Sequence, residues 1–299
     1  RVLVTRFSSL GALDTSFGSS GRFISSSNEK GQAQDVVIDS SGRIIFTGSI
    51  VGTLAPDAAI VGRLTRNGQL DSTFATLGYF INEFNGDAQL DAIDIRPNGN
   101  LVAIGTHVVS YSTGPQNALI VCLTDQGALD STCNSVGWDF LSDFPNDVYA
   151  DDVFVTPDNK ILFSGASDDG NPRPFVMRLN HNGTPDNSFA TSGMWRGTSL
   201  IGRMYSVTIQ SDGRILAAGQ LDAQGTMSVG VVRLANTVVV TTTTTTDAPL
   251  VTTSTTVPPS TIAPEQLPAT GSQFDSLTAA LLLTALGSIV IASRRRTSH

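Results

Sequence analysis

Four aspartates recur at nearly equal intervals and are the first candidates for chemistry. They are Asp14, Asp71, Asp130 and Asp186, separated by 57, 59 and 56 residues. One carboxylate per repeat could bind calcium or contact a substrate, but calcium loops need several oxygen ligands within a short segment, and the sequence has no Asp-x-Asp-x-Asp run. A carboxylate can also close a turn by accepting hydrogen bonds from nearby backbone N–H groups. We predict this structural role, and we assign the adjacent acidic pair Asp151-Asp152 to a solvated turn.

Arginine recurs on an otherwise apolar segment of the repeat. The repeated residues are Arg6, Arg63, Arg178 and Arg233. They could line a ligand surface. Because a long arginine stem can cover apolar surface while its guanidinium reaches a partner, we expect them instead to pair with the turn aspartates or to cover a sheet edge.

The two cysteines, Cys122 and Cys133, both lie in one repeat. Cys122 stands where the other repeats have Arg, and Cys133 stands where they have Phe. Both departures fall on either side of one turn, and a single disulfide explains both in a protein exported to an oxidising compartment. We therefore predict a disulfide between them.

Motifs for common catalytic or cofactor chemistry are missing from the sequence. It contains no nucleophile elbow, zinc-protease helix, phosphate loop or dinucleotide fingerprint. Two cysteines and three histidines, His107, His181 and His299, do not suggest a metal site. A net charge of −8 without a basic patch argues against nucleic-acid binding. We assign no catalytic residue, metal or cofactor, although a carboxylate pair acting on a glycosidic bond stays open as an alternative.

The recurring residues belong to a repeat of strands and turns. An apolar strand runs into a Gly-x-Leu-Asp turn, as in residues 59–71, and a short strand-like stretch follows, as in residues 78–81. A hairpin with a turn such as Asn-Gly or Asp-Gly completes the repeat, as in residues 91–105. Four strands per repeat and no helix pattern predict an all-β fold, a β-propeller of four-stranded modules. Stacked modules can bury faces that one module leaves exposed.

These modules resemble the delta-60 repeat family, which is also described as a domain of unknown function with a β-propeller fold. The resemblance rests on the Arg-Leu/Phe strand, the G-x-L-D-x-[ST]-F turn and the D-G-[RK]-I-L-x-x-G hairpin, and it covers residues 2–234. It implies the propeller fold. It implies no activity, because the family has no assigned chemistry and propellers host many functions.

The strands of the repeat are not equally numerous. The Arg-Leu/Phe strand occurs five times, near residues 4, 61, 120, 176 and 231, and each other strand occurs four times. We therefore predict that residues 2–7 form the last strand of a blade whose other strands lie upstream of Arg1. Residues 1–235 would then be four modules plus one extra strand, truncated at the N-terminus, where the signal peptide of an exported protein is also expected.

Composition changes abruptly after the repeats. Residues 236–266 contain a six-threonine run at residues 241–246, a second Thr/Ser run at residues 252–256 and several prolines. Such low complexity predicts a disordered stalk that is a candidate for O-glycosylation. At about 3.1 Å per residue, it would reach on the order of 90 Å.

Residues 267–299 combine three features in a fixed order. An apolar run at residues 277–293 follows the pentapeptide Leu267, Pro268, Ala269, Thr270, Gly271 and precedes Arg294, Arg295 and Arg296. This order resembles the cell-wall sorting signal of Gram-positive bacterial surface proteins, in which a sortase cleaves between Thr and Gly and joins the Thr carboxyl to the wall. The resemblance implies cleavage between Thr270 and Gly271, with sortase and peptidoglycan as partners.

Each feature of this segment also has a physical role. Pro268 fixes an extended backbone that suits a peptidase groove. The apolar run is near the lower length limit for a transmembrane helix, and the arginines favour the cytoplasmic side and stop translocation. We predict that a helix over residues 277–293 holds the chain in the plasma membrane before sorting. A permanent membrane anchor is the alternative, whereas the terminal arginines argue against a eukaryotic lipid-anchor signal.

Taken together, these features predict a secreted, wall-anchored propeller that acts as a non-catalytic binding or adhesion scaffold. Its extracellular ligand would be a glycan or a protein. The alternatives are a glycan-active enzyme with a site at the propeller axis and a structural spacer. An enzyme should bring acidic or histidine residues that are unique to one module together on the axis, whereas a scaffold should repeat the same residue types in every blade.

Overall fold

The computed structural model describes residues 1–26, 30–51, 56–109, 115–141, 144, 147–168, 170–223 and 226–234. These residues contain 17 β-strands. The predicted stalk, sorting signal and transmembrane helix lie outside the described residues. Among the residues that are described, no helix is long and apolar enough to cross a membrane.

The strands form five antiparallel sheets in chain order. The first sheet pairs β1 (Leu3–Thr5) with β2 (Arg22–Ile24). Three four-stranded sheets follow. The second sheet contains β3 (Gly31–Ile38), β4 (Ile44–Ile50), β5 (Ala58–Leu64) and β6 (Tyr79–Asn82), and the third contains β7 (Asp87–Ile95), β8 (Leu101–Val108), β9 (Gln116–Leu123) and β10 (Trp138–Leu141). The fourth contains β11 (Asp147–Val155), β12 (Ile161–Asp168), β13 (Pro172–Leu179) and β14 (Met194–Arg196). The last sheet contains β15 (Gly202–Ile209), β16 (Ile215–Ala223) and β17 (Thr226–Leu234).

The Arg-type strand is the third strand of each four-stranded sheet, not the last strand as predicted. Residues 2–7 do not form the last strand of a blade, because β1 pairs with the strand that follows it, in the register Leu3↔Ile24. The Gly-x-Leu-Asp turn causes this pairing by folding back on the Arg-bearing strand. In the second sheet, Asp71 N donates to Arg63 O (2.9 Å), and Arg63 N donates to Gly78 O (3.0 Å) at the start of the fourth strand. Each four-stranded sheet is therefore a hairpin, then the Arg-type strand, then a short edge strand.

Hydrophobic clusters lie between successive sheets. Alternate residues of a strand point to opposite faces, so Val121 of β9 faces the preceding sheet, and Ile120 and Cys122 face the following sheet. Four such clusters join the five sheets. This stacking of successive four-stranded sheets is propeller-like and confirms the all-β prediction.

The first strands of the sheets, β3, β7, β11 and β15, lie beside one another. A carboxylate of one first strand accepts a hydrogen bond from a backbone N–H of the next at each of the three joints. The pairs are Ile93 N to Asp35 Oδ2 (2.9 Å), Val155 N to Asp94 Oδ2 (2.7 Å) and Val207 N to Asp152 Oδ2 (2.8 Å).

Every first strand contains a β-bulge at the same place. The extra residues are Gln34, Asp91, Asp151 and Tyr205. A glycine lies opposite each bulge, and at Gly105 an added Cβ would meet the carbonyl oxygen of Gln89 at 2.0 Å. Because a bulge redirects the side chains around it, it determines which residues reach the space that the first strands share.

Candidate functional site

The four repeated aspartates hold their own turns together. The Asp71 carboxylate accepts hydrogen bonds from Arg63 Nε (2.8 Å), from Thr73 N (3.1 Å) and from Thr73 Oγ1 (2.6 Å). Asp14 and Asp186 bind the equivalent arginine and serine of their own repeats. Burial alone would raise the pKa of Asp71, but the hydrogen bonds from Thr73 and the charge of Arg63 outweigh it and lower that pKa.

Three of the four repeated arginines stack on the phenylalanine of the same turn. The guanidinium carbon of Arg6 lies 4.7 Å from the Phe17 ring centre, that of Arg63 lies 4.7 Å from Phe74, and that of Arg178 lies 4.9 Å from Phe189. Arg6 and Arg63 also donate to a backbone carbonyl of the next repeat, at Arg66 and Asp125. All three arginines therefore join their strand to its turn, and Arg6 and Arg63 also join it to the neighbouring repeat.

The predicted disulfide between Cys122 and Cys133 is present. It occupies the two positions that carry the stacked Arg–Phe pair in the other repeats. A covalent bond between strand and turn has thus replaced a non-covalent one.

Arg96, which was not among the residues predicted from the sequence, supplies the guanidinium that this repeat lacks. Its side chain is buried, and its two terminal nitrogens contact Cys122 Sγ (3.4 Å) and His181 O (2.7 Å). His181 O is the equivalent of Asp125 O, so Arg96 makes the contact to the next repeat that Arg63 makes elsewhere. The other repeats have Asp39, Thr156 and Gln210 at its position, so the signal in the sequence was an arginine present there only in the repeat that contains the two cysteines.

A different set of polar side chains converges where the first strands meet. We call it the first-strand cluster; its members are Gln32, Gln89, Asp91, Tyr149, Asp151, Arg203 and Tyr205. The guanidinium of Arg203 donates to both carboxylate oxygens of Asp151, each at 2.6 Å. The same guanidinium carbon lies 4.4 Å from the ring centre of Tyr149 and 5.6 Å from that of Tyr205.

Asp91 lies beside this ion pair. Its carboxylate accepts a hydrogen bond from the amide of Gln89, whose oxygen accepts from Gln32 (3.2 Å). Burial, together with the negative charge of Asp151, raises the pKa of Asp91 to about 6. Burial also raises the pKa of Asp151, against the opposing effect of Arg203.

The cluster can bind a polar ligand and can hold a proton. It offers two carboxylates, a guanidinium, amides and two aromatic rings within one partly buried group. Its residue types are not the same in every sheet, since the four bulges carry Gln34, Asp91, Asp151 and Tyr205. No group of three or more metal-binding side chains occurs within the described ranges.

One expectation about candidate residues changes here. Asp151 and Asp152 do not form a solvated turn, because both lie within β11 and are partly buried. The local sequence resembled a turn, but the pairing of β11 with β12 makes it a strand. His107 is buried on β8 and stacks on Phe140 (4.2 Å between ring centres), and burial lowers its pKa.

Two models of known families match parts of the chain. Residues 156–189, from the start of a hairpin to the Asp186 turn, match a model described as a domain of unknown function (DUF5122) β-propeller. Residues 259–298 match the LPXTG cell wall anchor motif. One stretch of the chain is thus similar to a DUF5122 β-propeller repeat, and another contains an LPXTG anchor motif. Both resemblances predicted from the sequence are confirmed, since delta-60 names the same type of repeat. The LPXTG motif implies sortase processing and covalent attachment at the cell surface.

Two other comparisons add nothing to these family matches. No curated protein matches it. Among solved structures, the tail fiber of Staphylococcus aureus phage P68 matches with 11% identity and a TM-score of 0.24, over 71% of this chain and 51% of that chain. The match thus spans about half the length of the tail fiber chain, and at this TM-score it supports no conclusion.

Proposed function

We propose that this chain is a wall-anchored surface protein of a Gram-positive bacterium that binds an extracellular ligand, without turnover, at its first-strand cluster. The observation that carries the proposal is the Asp151–Arg203–Tyr149 group with its neighbour Asp91. These side chains come from three sheets, and no single residue type occupies the equivalent positions of all four first strands. The turn aspartates, by contrast, recur in every repeat and are engaged in local structure.

The anchoring route is part of the proposal. A helix over residues 277–293, followed by Arg294, Arg295 and Arg296, holds the chain in the plasma membrane. Sortase then cleaves between Thr270 and Gly271 and joins Thr270 to peptidoglycan. The Thr/Pro-rich segment of residues 236–266 separates the propeller from the wall.

Cell fractionation tests this route. Muramidase digestion should release a wall-linked product that ends at Thr270, and Pro268→Ala should shift the protein to the membrane fraction. Thr253→Ala, in the stalk, is the matched control and should leave sorting unchanged. Release of the wild-type protein by detergent alone would contradict wall attachment and support a permanent membrane anchor.

Binding is tested with the anchored protein on intact cells. Labelled cells that display the chain are applied to glycan and host-protein arrays beside cells that display Arg203→Ala. The control is Arg214→Ala, because Arg214 is exposed on a hairpin turn. We expect at least one class of ligand to be retained by wild type and Arg214→Ala and lost by Arg203→Ala. An identical binding pattern for the wild type and both variants would favour a structural spacer over a binding protein.

A glycan-active enzyme is the second candidate, and one observation favours it. A carboxyl with a pKa of about 6 beside a second carboxylate is an arrangement that can supply a general acid and a base or nucleophile. If turnover occurs, array glycans should be shortened by wild-type cells, and both Asp91→Asn and Asp151→Asn should abolish product while ligand is still retained. Unchanged glycans after prolonged incubation would exclude this candidate for the sugars tested.

A further inference from the structure

The charges of the first-strand cluster are unbalanced. It contains two carboxylates and one guanidinium, and the guanidinium uses two of its donors on Asp151. Asp91 is bonded instead to the neutral amide of Gln89. None of the ion pairs among the described residues includes Asp91.

A partly buried carboxylate in this position favours a cation from outside. Withdrawal from water weakens its solvation, and Asp151 adds a second negative charge. A positive group placed beside Asp91 would restore the balance and would form a charge-assisted hydrogen bond. The charge of Arg203 also acts on Asp91, but Arg203 donates its hydrogen bonds to Asp151, so a ligand is the natural source of a positive group bonded to Asp91.

The side chains around Asp91 indicate the chemistry of the rest of the ligand. Tyr205 is 49% exposed, so part of its ring is open to a partner. A pyranose ring has apolar C–H faces that can pack on such a ring, and its hydroxyl groups can pair with the Gln32 amide and the Arg203 guanidinium. The cluster thus combines the Asp91 carboxylate with the exposed aromatic ring of Tyr205.

We propose that the first-strand cluster binds a carbohydrate with a free primary amine, placing the ammonium group against Asp91 and a sugar ring against Tyr205. This inference rests on the proposed ligand-binding function and names the class of ligand. It separates an amino sugar from its N-acetylated form, because acetylation removes the positive charge and leaves the ring unchanged.

The test uses that pair of ligands. A tetramer of glucosamine and the matching tetramer of N-acetylglucosamine are titrated by calorimetry into the full chain, purified in detergent with its sorting signal intact. We expect the wild type to prefer the amine tetramer by at least about tenfold, as one charge-assisted contact would give. Asp91→Asn should remove this preference, and Tyr205→Ala should weaken the binding of both tetramers. Asp212→Asn, on an exposed turn, should bind as the wild type does.

Several results would overturn the inference. Equal affinity for the two tetramers, or an amine preference that Asp91→Asn retains, contradicts the role of Asp91. Binding of a lysine peptide in place of either tetramer, with loss in Asp91→Asn, contradicts the carbohydrate. Binding of the N-acetylated tetramer alone, with loss in Arg203→Ala, rejects the amine but keeps the proposed function. Absence of binding by either tetramer also rejects the inference, and the cell arrays then decide the proposed function separately. Cooperative thermal unfolding of Asp91→Asn confirms that it is folded.

Discussion

At the scale of single residues, burial distinguishes side chains that the repeat makes equivalent. Arg6 and Arg63 occupy the same repeat position and each pairs with a turn aspartate at 2.8 Å, but their side chains are 35% and 1% exposed. An exposed ion pair contributes little because water and salt screen it. Breaking a buried pair leaves the remaining charge without a partner.

We therefore expect Arg63→Ala to lower the free energy of unfolding by about 3–5 kcal/mol. Arg6→Ala should lower it by about 1 kcal/mol or less, because that pair is screened. Urea titration of the two variants checks the difference. Equal losses would mean that burial does not control the strength of this contact.

Asp91 should make stability depend on pH. Its pKa is about 6 in the folded protein against a reference of 3.8, so the folded state prefers the protonated form. Its favourable contribution is complete below about pH 4 and is lost as the pH rises through 6. Asp91→Asn should therefore raise the free energy of unfolding at pH 7.5 by roughly 1–3 kcal/mol. The gain should vanish at pH 3.5, as thermal unfolding of both proteins at the two pH values would show; a gain that is independent of pH would contradict the assignment.

At the scale of the strand and its turn, one repeat connects these two elements with different side chains from the others. The Cys122–Cys133 disulfide replaces the stacked Arg–Phe pair, and Arg96 replaces the missing guanidinium. These three positions should therefore depend on one another. Residues in direct contact commonly show interaction free energies of about 0.5–3 kcal/mol.

We expect the double change Cys122→Arg with Cys133→Phe to destabilise the protein strongly, because Arg96 and the new arginine would compete for one place. Adding Arg96→Thr, which restores the residue found at that position in the next sheet, should recover at least about 2 kcal/mol. Arg96→Thr alone, with the disulfide intact, is the control and should be destabilising. If the triple variant is no more stable than the double variant, the disulfide and Arg96 do not together take the place of the stacked Arg–Phe pair.

The bulge of the first strand imposes its own requirement. Gly105 lies opposite the Asp91 bulge, where an added Cβ would be 2.0 Å from the Gln89 carbonyl oxygen. Gly105→Ala should therefore cost about 3 kcal/mol or more and should disturb the first-strand cluster. Gly170→Ala, which has no atom within 4 Å, should cost about 1–2 kcal/mol from its left-handed backbone alone. Comparable losses in chemical denaturation would contradict the close approach at Gly105.

At the scale of the whole molecule, the LPXTG motif indicates attachment to the cell wall, and the proposed stalk would set the distance of the repeats from it. Residues 241–256 contribute on the order of 50 Å if extended. Deleting them should reduce the binding of a propeller-directed antibody to intact cells without changing the amount of protein that muramidase releases. Unchanged antibody binding would show that the stalk is not needed to expose the propeller. An equal loss of released protein would instead indicate a defect in export or sorting.

The sequence determined the features that depend on neighbouring residues or on periodicity. Strand alternation, turn residues and the repeat predicted the stacked antiparallel sheets, two coincident departures from the repeat predicted the disulfide, and the order of segments after residue 266 predicted the anchor. Neither local sequence nor periodicity predicts the first-strand cluster. Asp91, Asp151 and Arg203 lie 52 or more residues apart in sequence, and only the stacking of bulged first strands brings them together. Tertiary structure decided their pKa values as well, because burial and the charge of a neighbouring sheet are properties of packing and not of local sequence.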